Sequence, residues 1–302
     1  MTSVELDGHD VALTHQDRVV FPEVGLTKGD VVAYYRRIAE RILPHLRDRP
    51  LVVRRFPGGL AEDGFFQKEA PDHYPAWIRR AKVEKVEGGT TTYVVCDDAA
   101  TLVYVANQGA IELHTLLAPA DHPSAPTELL VDLDPSGDDL DPVVAGARAV
   151  HDLLDELEVV GFVNATGSRG VHVHVDLAGR TDIDDVRRLS HGLAAAVVAR
   201  DPDTFTVEHR KVDRGDRLFV DVLRNAYGQH AVAPYSIRAR PTAPVAIPLT
   251  WEEATASSFD PRAVTIENAF RRLGAQHDDP WADRGRHRYE VDALATRLDR
   301  RR

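Results

Sequence analysis

The chain has 302 residues, 43% of them hydrophobic and 28% charged, and a formal net charge of −11. This is room for one large domain or two small ones, in a composition that excludes disordered and fibrous classes. The lone Cys96 excludes an intrachain disulfide framework and a multi-cysteine zinc site. No apolar stretch approaches membrane-span length, and the opening MTSVELDGHD lacks the parts of a secretion signal, so a cytoplasmic protein with no membrane partner is expected. Net acidity speaks against nucleic acid, yet basic clusters stand at Arg54-Arg55, at Arg79-Arg80 with Lys82, and at His209-Arg210-Lys211 with Arg214 and Arg217. Local patches decide binding more than the total charge, so composition leaves the partner open.

Residues 10–23 read as a short strand or turn ending at Phe21-Pro22. Thr27-Lys28-Gly29-Asp30 resembles a capping box and opens an amphipathic helix to about His45, with Val31, Tyr34, Tyr35 and Ile38 on one face. Short strands are expected at 51–54, 64–68 and 91–95, a helix over 99–109 and a strand over 111–114. The apolar run Leu129-Leu130-Val131 is a strand that Pro135-Ser136-Gly137 ends, and a helix follows from about Pro142 to Glu158. Strands at 162–165 and 171–175 flank a turn at 166–170, followed by a helix over 183–200 and a strand over 218–222. Pro241, Pro244 and Pro248 argue against regular structure around them, and helices are expected at 251–257, 261–273 and 292–301. The order implies a mixed α/β (α+β) protein, one central catalytic sheet preceded by an N-terminal α/β portion. Its divisions fall at about 1–125, 126–275 and a helical tail over 276–302, within a single domain.

Val131-Asp132-Leu133-Asp134-Pro135 places two acids one residue apart in a strand, so both project from one face. Carboxylates forced together raise a pKa or recruit a cation; a solvent-facing acidic strand end is an equally good reading of the pair alone. Asp221, mid-strand in Phe219-Val220-Asp221-Val222, is the natural third acid, although it could instead face solvent or pair with Arg214. Thr166-Gly167-Ser168-Arg169-Gly170 has glycines whose turn can present backbone N–H groups to a phosphate, with a hydroxyl and a guanidinium beside them. It lacks the spacing of a P-loop. His172 and His174 share a strand face; a zinc site is less favoured than one phosphate contact and one packed or solvated ring. His114 ends an apolar strand, where a hydrogen-bonded structural histidine is the default. Phe65-Phe66 with Gln67-Lys68 pairs aromatics with a cation; either one ring is core and the other available for base stacking, or, the favoured reading, both are core. Arg18 and Lys28 could hold a phosphate or be two solvated charges.

Taken in order, these stretches resemble the polymerase domain of bacterial DNA ligase D, in the archaeo-eukaryotic primase superfamily. The resemblance rests on Val131–Pro135, Gly167–His172, Phe219–Asp221, Ala233-Pro234-Tyr235-Ser236-Ile237-Arg238, Gly64–Lys68, Thr91-Thr92-Tyr93 and Asn107-Gln108-Gly109 leading to His114, roughly residues 10 to 275. It implies a primase-polymerase fold and a nucleotidyltransferase that extends primers or DNA ends in double-strand break repair by non-homologous end joining, often with ribonucleotides. It further implies that Asp132, Asp134 and Asp221 hold two divalent cations, Mn²⁺ or Mg²⁺. His114, Ser168, Arg169, His172 and Arg238 would contact an incoming NTP or dNTP. Arg18 and Lys28 would take a downstream 5′-phosphate, Phe65 and Phe66 would stack at the template junction, and Arg55, Lys68 and Arg214 would lie along DNA or nucleotide. Arg18 and Arg169 stand where lysines are usual, and His15 where an asparagine often stands. With no ligase or nuclease module in the sequence, a stand-alone, nucleoid-associated member working with a separate DNA ligase and an end-binding protein is expected. De novo priming, a non-catalytic DNA-end-bridging role and a metal-dependent nuclease are the competing readings.

Overall fold

In the computed structural model, which describes residues 2–276 and 278–301, the chain forms two compact units. The first takes in residues up to 121 together with 230–246 and 264–272; the second holds 122–229, 247–263 and the described residues from 273 onward. The first boundary lies near the expected division at about 125. The return of 230–246 to the first unit was not expected, and backbone pairing explains it: strand His230–Val232 adds to Ala110–Leu116, with Val232 opposite His114.

In the first unit, helix Lys28–Leu46 starts where the capping box requires, Thr27 and Asp30 each accepting the other's backbone N–H. Its Tyr34, Tyr35, Ile38 and Ile42 are fully buried. The main sheet of this unit, among the described residues, runs in the order His230–Val232, Ala110–Leu116, Pro50–Arg55, Thr90–Val95, Arg80–Glu84, with Phe65–Gln67 also paired to Pro50–Arg55. Every residue of Ala110–Leu116 is buried. An N-terminal hairpin, Thr2–Leu6 with His9–Leu13, turns at Asp7-Gly8, both with positive φ, as a two-residue hairpin loop requires.

In the second unit the strand order is Phe205–Thr206, Leu218–Asp221, Glu128–Asp134, Val171–Asp176, Phe162–Ala165, Ile247–Leu249, antiparallel except for the first pair. Alternation divides the central strands cleanly. Leu129, Val131, Val173 and Val175 meet Val150, Leu153, Leu193 and Val197 of helices Asp141–Glu156 and Ile183–Arg200 in one apolar layer. The alternate residues, Asp132, Asp134, His172 and His174, are thereby left on the opposite face. Among the described residues no helix is long and apolar enough to cross a membrane.

Two expectations are corrected. Pro248 lies within strand Ile247–Leu249, which is tolerated because this is the edge of its sheet. The helix expected over 261–273 exists only as Ala269–Ala275. Before it the Asn268 side chain accepts the Thr265 N–H, a local turn that competes with helix.

Candidate active site

The register of the second unit's sheet puts Asp221 opposite Asp132, Asp132 opposite His172, and His172 opposite Asn164. Cross-strand partners share a face, so four polar side chains form a row across four strands, with Asp134 two residues further along. Burial raises the Asp134 carboxyl, and the Asp132 charge raises it further. Asp221 is raised likewise, first by burial and also by Asp132, while its Oδ1 accepts the Leu223 N–H at 2.7 Å. Three carboxylates on one face, two of them raised by the charge of the third and with no thiol among them, suit a hard divalent cation. Among the described residues no three His, Cys, Asp or Glu side chains converge closely enough to enclose one. Asp134 is instead turned to Arg169 (Nη2 to Oδ1, 3.5 Å) and Arg214 (Nη1 to Oδ2, 3.7 Å).

The 166–170 turn is built for close approach. Gly167 has φ +63°, and a Cβ on Gly170 would lie 1.9 Å from the Leu133 carbonyl oxygen, so only glycine brings this turn against the acidic strand. Ser168 and Arg169 are carried at its tip, and His172 follows with Nε2 3.5 Å from Asp132 Oδ2. Arg214 is only 6% exposed: it donates to the carbonyls of Glu208 and His209 and lies 3.8 Å over the Phe219 ring. Its guanidinium is occupied in holding this segment and Asp134, rather than offered to solvent.

The first unit gathers a second set. Buried Glu112 has its Oε2 3.1 Å from His114 Nε2, its Oε1 3.5 Å from both Arg238 Nε and Arg54 Nη1, and accepts the Ala239 N–H at 2.9 Å. Burial alone would raise its pKa, but the His114 hydrogen bond and the Arg238 charge prevail and bring it down to about 2. The Ala233–Arg238 stretch is pinned so that Arg238 reaches Glu112. The Ser236 hydroxyl accepts the Leu113 N–H, and the Tyr34 and Tyr35 hydroxyls donate to the carbonyls of Tyr235 and Ile111. Phe66, 51% exposed, meets the His114 edge at 5.4 Å, and Arg55 lies 5.7 Å over Phe65. Lys68 is exposed just beyond that strand.

Also in the first unit, a cavity of about 250 Å³ is lined by Thr14, His15, Arg18, Lys28, Arg55 and Gly109 among others. Lys28 Nζ donates to the Thr14 carbonyl (2.6 Å) and hydroxyl (3.1 Å), Arg55 Nε donates to the Gln108 carbonyl, and Arg18 donates to the Pro57 carbonyl. Burial, then the Arg18 and Arg55 charges, lower the Lys28 pKa to about 8. His15 at the cavity wall has φ +53°, a left-handed backbone that asparagine, aspartate and histidine tolerate better than other side-chain-bearing residues. Asn107 organises the loop, its Oδ1 accepting the Thr14 N–H and its amide donating to Ala12.

The family model described as "LigD, primase-polymerase domain" matches residues 27–281. The chain belongs to this family. The LigD non-homologous end joining DNA repair protein of Mycobacterium tuberculosis is 34% identical over 277 residues, covering 89% of this chain and 36% of that protein. The bifunctional LigD of Bacillus subtilis is 30% identical over 265 residues, covering 87% and 42%. The chain thus spans roughly a third to two fifths of the length of these relatives. The solved polymerase domain of M. tuberculosis Ligase D in complex with DNA matches with a TM-score of 0.81 and 32% identity, over 89% of this chain and 96% of that one. The fold is therefore the LigD primase-polymerase fold.

Sequence reading overlooked Glu112 and Asn164. For Glu112 a signal was present, its alternation with His114 on one strand; for Asn164 none was, because its place opposite His172 is set by the register between strands. A buried carboxylate in an otherwise apolar strand demands a partner, which is the clue that Glu112 offered.

Proposed function

We propose that this LigD-type domain is a metal-dependent nucleotidyltransferase that extends primers or DNA ends during double-strand break repair by non-homologous end joining. The observation that carries the reading is the row Asp221, Asp132, His172 beside the glycine turn, in a chain of this family. Asp132, Asp134 and Asp221 would hold two divalent cations, Mn²⁺ or Mg²⁺. Bound there, such ions would supply Lewis acidity to a primer 3′-hydroxyl and neutralise triphosphate charge. Until a cation arrives, Arg169 and Arg214 balance Asp134 and keep the mutually repelling acids in one row. In the second unit Ser168, Arg169 and His172 offer donors to an incoming NTP or dNTP; in the first, His114 and Arg238, fixed on Glu112, are donors of the kind a phosphate takes. The cavity of Arg18, Lys28 and Arg55 suits a 5′-phosphate, with Phe65 and Phe66 as exposed platforms for a base and Lys68 beside them. A separate DNA ligase and an end-binding protein would complete the repair.

Primer extension on gapped DNA bearing a 5′-phosphate, with ribo- or deoxynucleotides and Mn²⁺ or Mg²⁺, tests the reading. Asp132→Ala should abolish extension while DNA affinity stays within about 2-fold, since the acid faces the cations rather than the duplex. Extension retained by that variant would overturn the assignment, and DNA binding without extension by the unaltered protein would favour an end-bridging role.

A further inference from the structure

The candidate row continues away from the acids into a buried polar chain that the reading above does not use. His174 follows His172 on the same face, 2% exposed, with ring centroids 5.9 Å apart. Its Nδ1 lies 3.3 Å from Glu128 Oε2, and Glu128 is bonded in turn by Arg284, which also binds Asp176. An ionised carboxylate accepts only, so Nδ1 carries the proton and Nε2 is left as an acceptor. Burial lowers the His174 pKa to about 4 against the opposing pull of Glu128, so the ring is neutral at pH 7. Three side-chain atoms here have no protein partner among the described residues: His174 Nε2, His172 Nδ1 and Asn164 Oδ1. All three belong to buried residues, and Asn164 is cross-strand from His172. With His172 Nε2 toward Asp132 and the Asn164 amide donating to the Ala165 carbonyl, all three are acceptors in the neutral state and lack a donor. No hydrogen bond joins the two rings, whose centroids are 5.9 Å apart, and a water between them would be able to donate to both.

We propose that His174 is a positioning residue for His172, acting through two buried waters that these rings share with Asn164. The waters' hydrogens satisfy Nδ1 of His172 and so hold its proton on Nε2, the nitrogen beside Asp132. That is the nitrogen able to donate to a phosphate oxygen, a step that rests on the nucleotidyl-transfer reading above. The link runs from Arg284 through Glu128 and His174 to the candidate site, all within one unit.

Two variants separate positioning from packing. His174→Phe keeps a ring against Trp281, 5.0 Å away, and removes both nitrogens; His174→Gln restores an acceptor. The readouts are the ¹⁵N shifts of the His172 ring in the unliganded protein and the split of nucleotide KM against kcat in extension. His174→Phe should give His172 a mixture of tautomers and raise KM about 3- to 10-fold, the worth of one hydrogen bond, with kcat little changed. His174→Gln should recover most of both. An unchanged His172 spectrum and KM in His174→Phe, or a glutamine variant as impaired as the phenylalanine one, overturns the proposal. If His174→Phe does not fold, Asn164→Leu removes an acceptor from the other side and is judged by the same shifts. Should the unaltered protein fail to extend primers, the functional reading falls, while the ¹⁵N arm still decides this link.

Discussion

At the scale of single residues, Lys28 has a charge poised near neutral pH. Its pKa of about 8 comes first from burial and then from the neighbouring Arg18 and Arg55. Below pH 8 the ammonium is charged and the cavity holds three cations; above it Lys28 becomes neutral. A bound phosphate favours the charged form, so affinity for a 5′-phosphorylated gap should fall as pH rises from 7 to 9, by up to about tenfold per pH unit above the free pKa. Lys28→Arg should remove that dependence, because a guanidinium stays charged. The comparison to make is gapped DNA with a 5′-phosphate against the same DNA with a 5′-hydroxyl, which should show no such fall. Equal pH dependence for both DNAs would place the titrating group elsewhere. Part of this was legible beforehand: Arg18 and Lys28 were singled out as a phosphate pair or two solvated charges, and the burial of Lys28 was not foreseen. Their closeness to Arg55 was not, since it depends on folding residue 55 back against residues 14–28.

At the scale of elements, the sheet of the second unit shows what a sequence pattern carries and what it omits. Alternation in Val131–Asp134 and Val171–His174 was enough to put the acids and histidines on one face each. Register was not readable, because pairing Asp132 with Asp221 joins strands that lie 89 positions apart, and no local signal specifies that match. The hairpin of Thr2–Leu6 with His9–Leu13 was not among the expected elements, although Asp7-Gly8 is the kind of pair that closes a two-residue hairpin loop. The Glu128, Asp176, Arg284 cluster was invisible for the same long-range reason. Arg284 lies over the Trp281 ring at 4.6 Å and neutralises two buried carboxylates at the strand ends farthest from Asp134. Arg284→Met should therefore cost about 3–5 kcal/mol in urea unfolding, since both acids remain buried without their cation. A cost below about 1 kcal/mol would show that neither acid depends on this cation.

At the scale of the whole molecule, the proposed nucleic-acid partner has to be reconciled with a net charge of −11. Composition left the partner open because it sums charges that the fold segregates. Some cations in the basic clusters are consumed internally: Arg79 is paired with Asp48 and Asp97, and Arg214 is buried over Phe219. Others converge with no acidic partner among the described residues, as Arg18, Lys28 and Arg55 do around their cavity, where their contacts run to carbonyls, a hydroxyl and an amide. Attraction to DNA is then local and short-ranged against a repulsive background, and each cation that meets a phosphate should leave a countable mark on salt dependence. The logarithm of the affinity for 5′-phosphorylated gapped DNA should fall linearly with the logarithm of salt, at about 0.9 per phosphate neutralised. Measured by fluorescence anisotropy over roughly 50 to 200 mM salt, Lys28→Met should make the slope shallower by about one. Arg79→Gln should leave it unchanged, because that guanidinium is already neutralised by two carboxylates. A slope that responds to Arg79 as much as to Lys28 would mean that DNA follows the Arg79 surface and not the cavity.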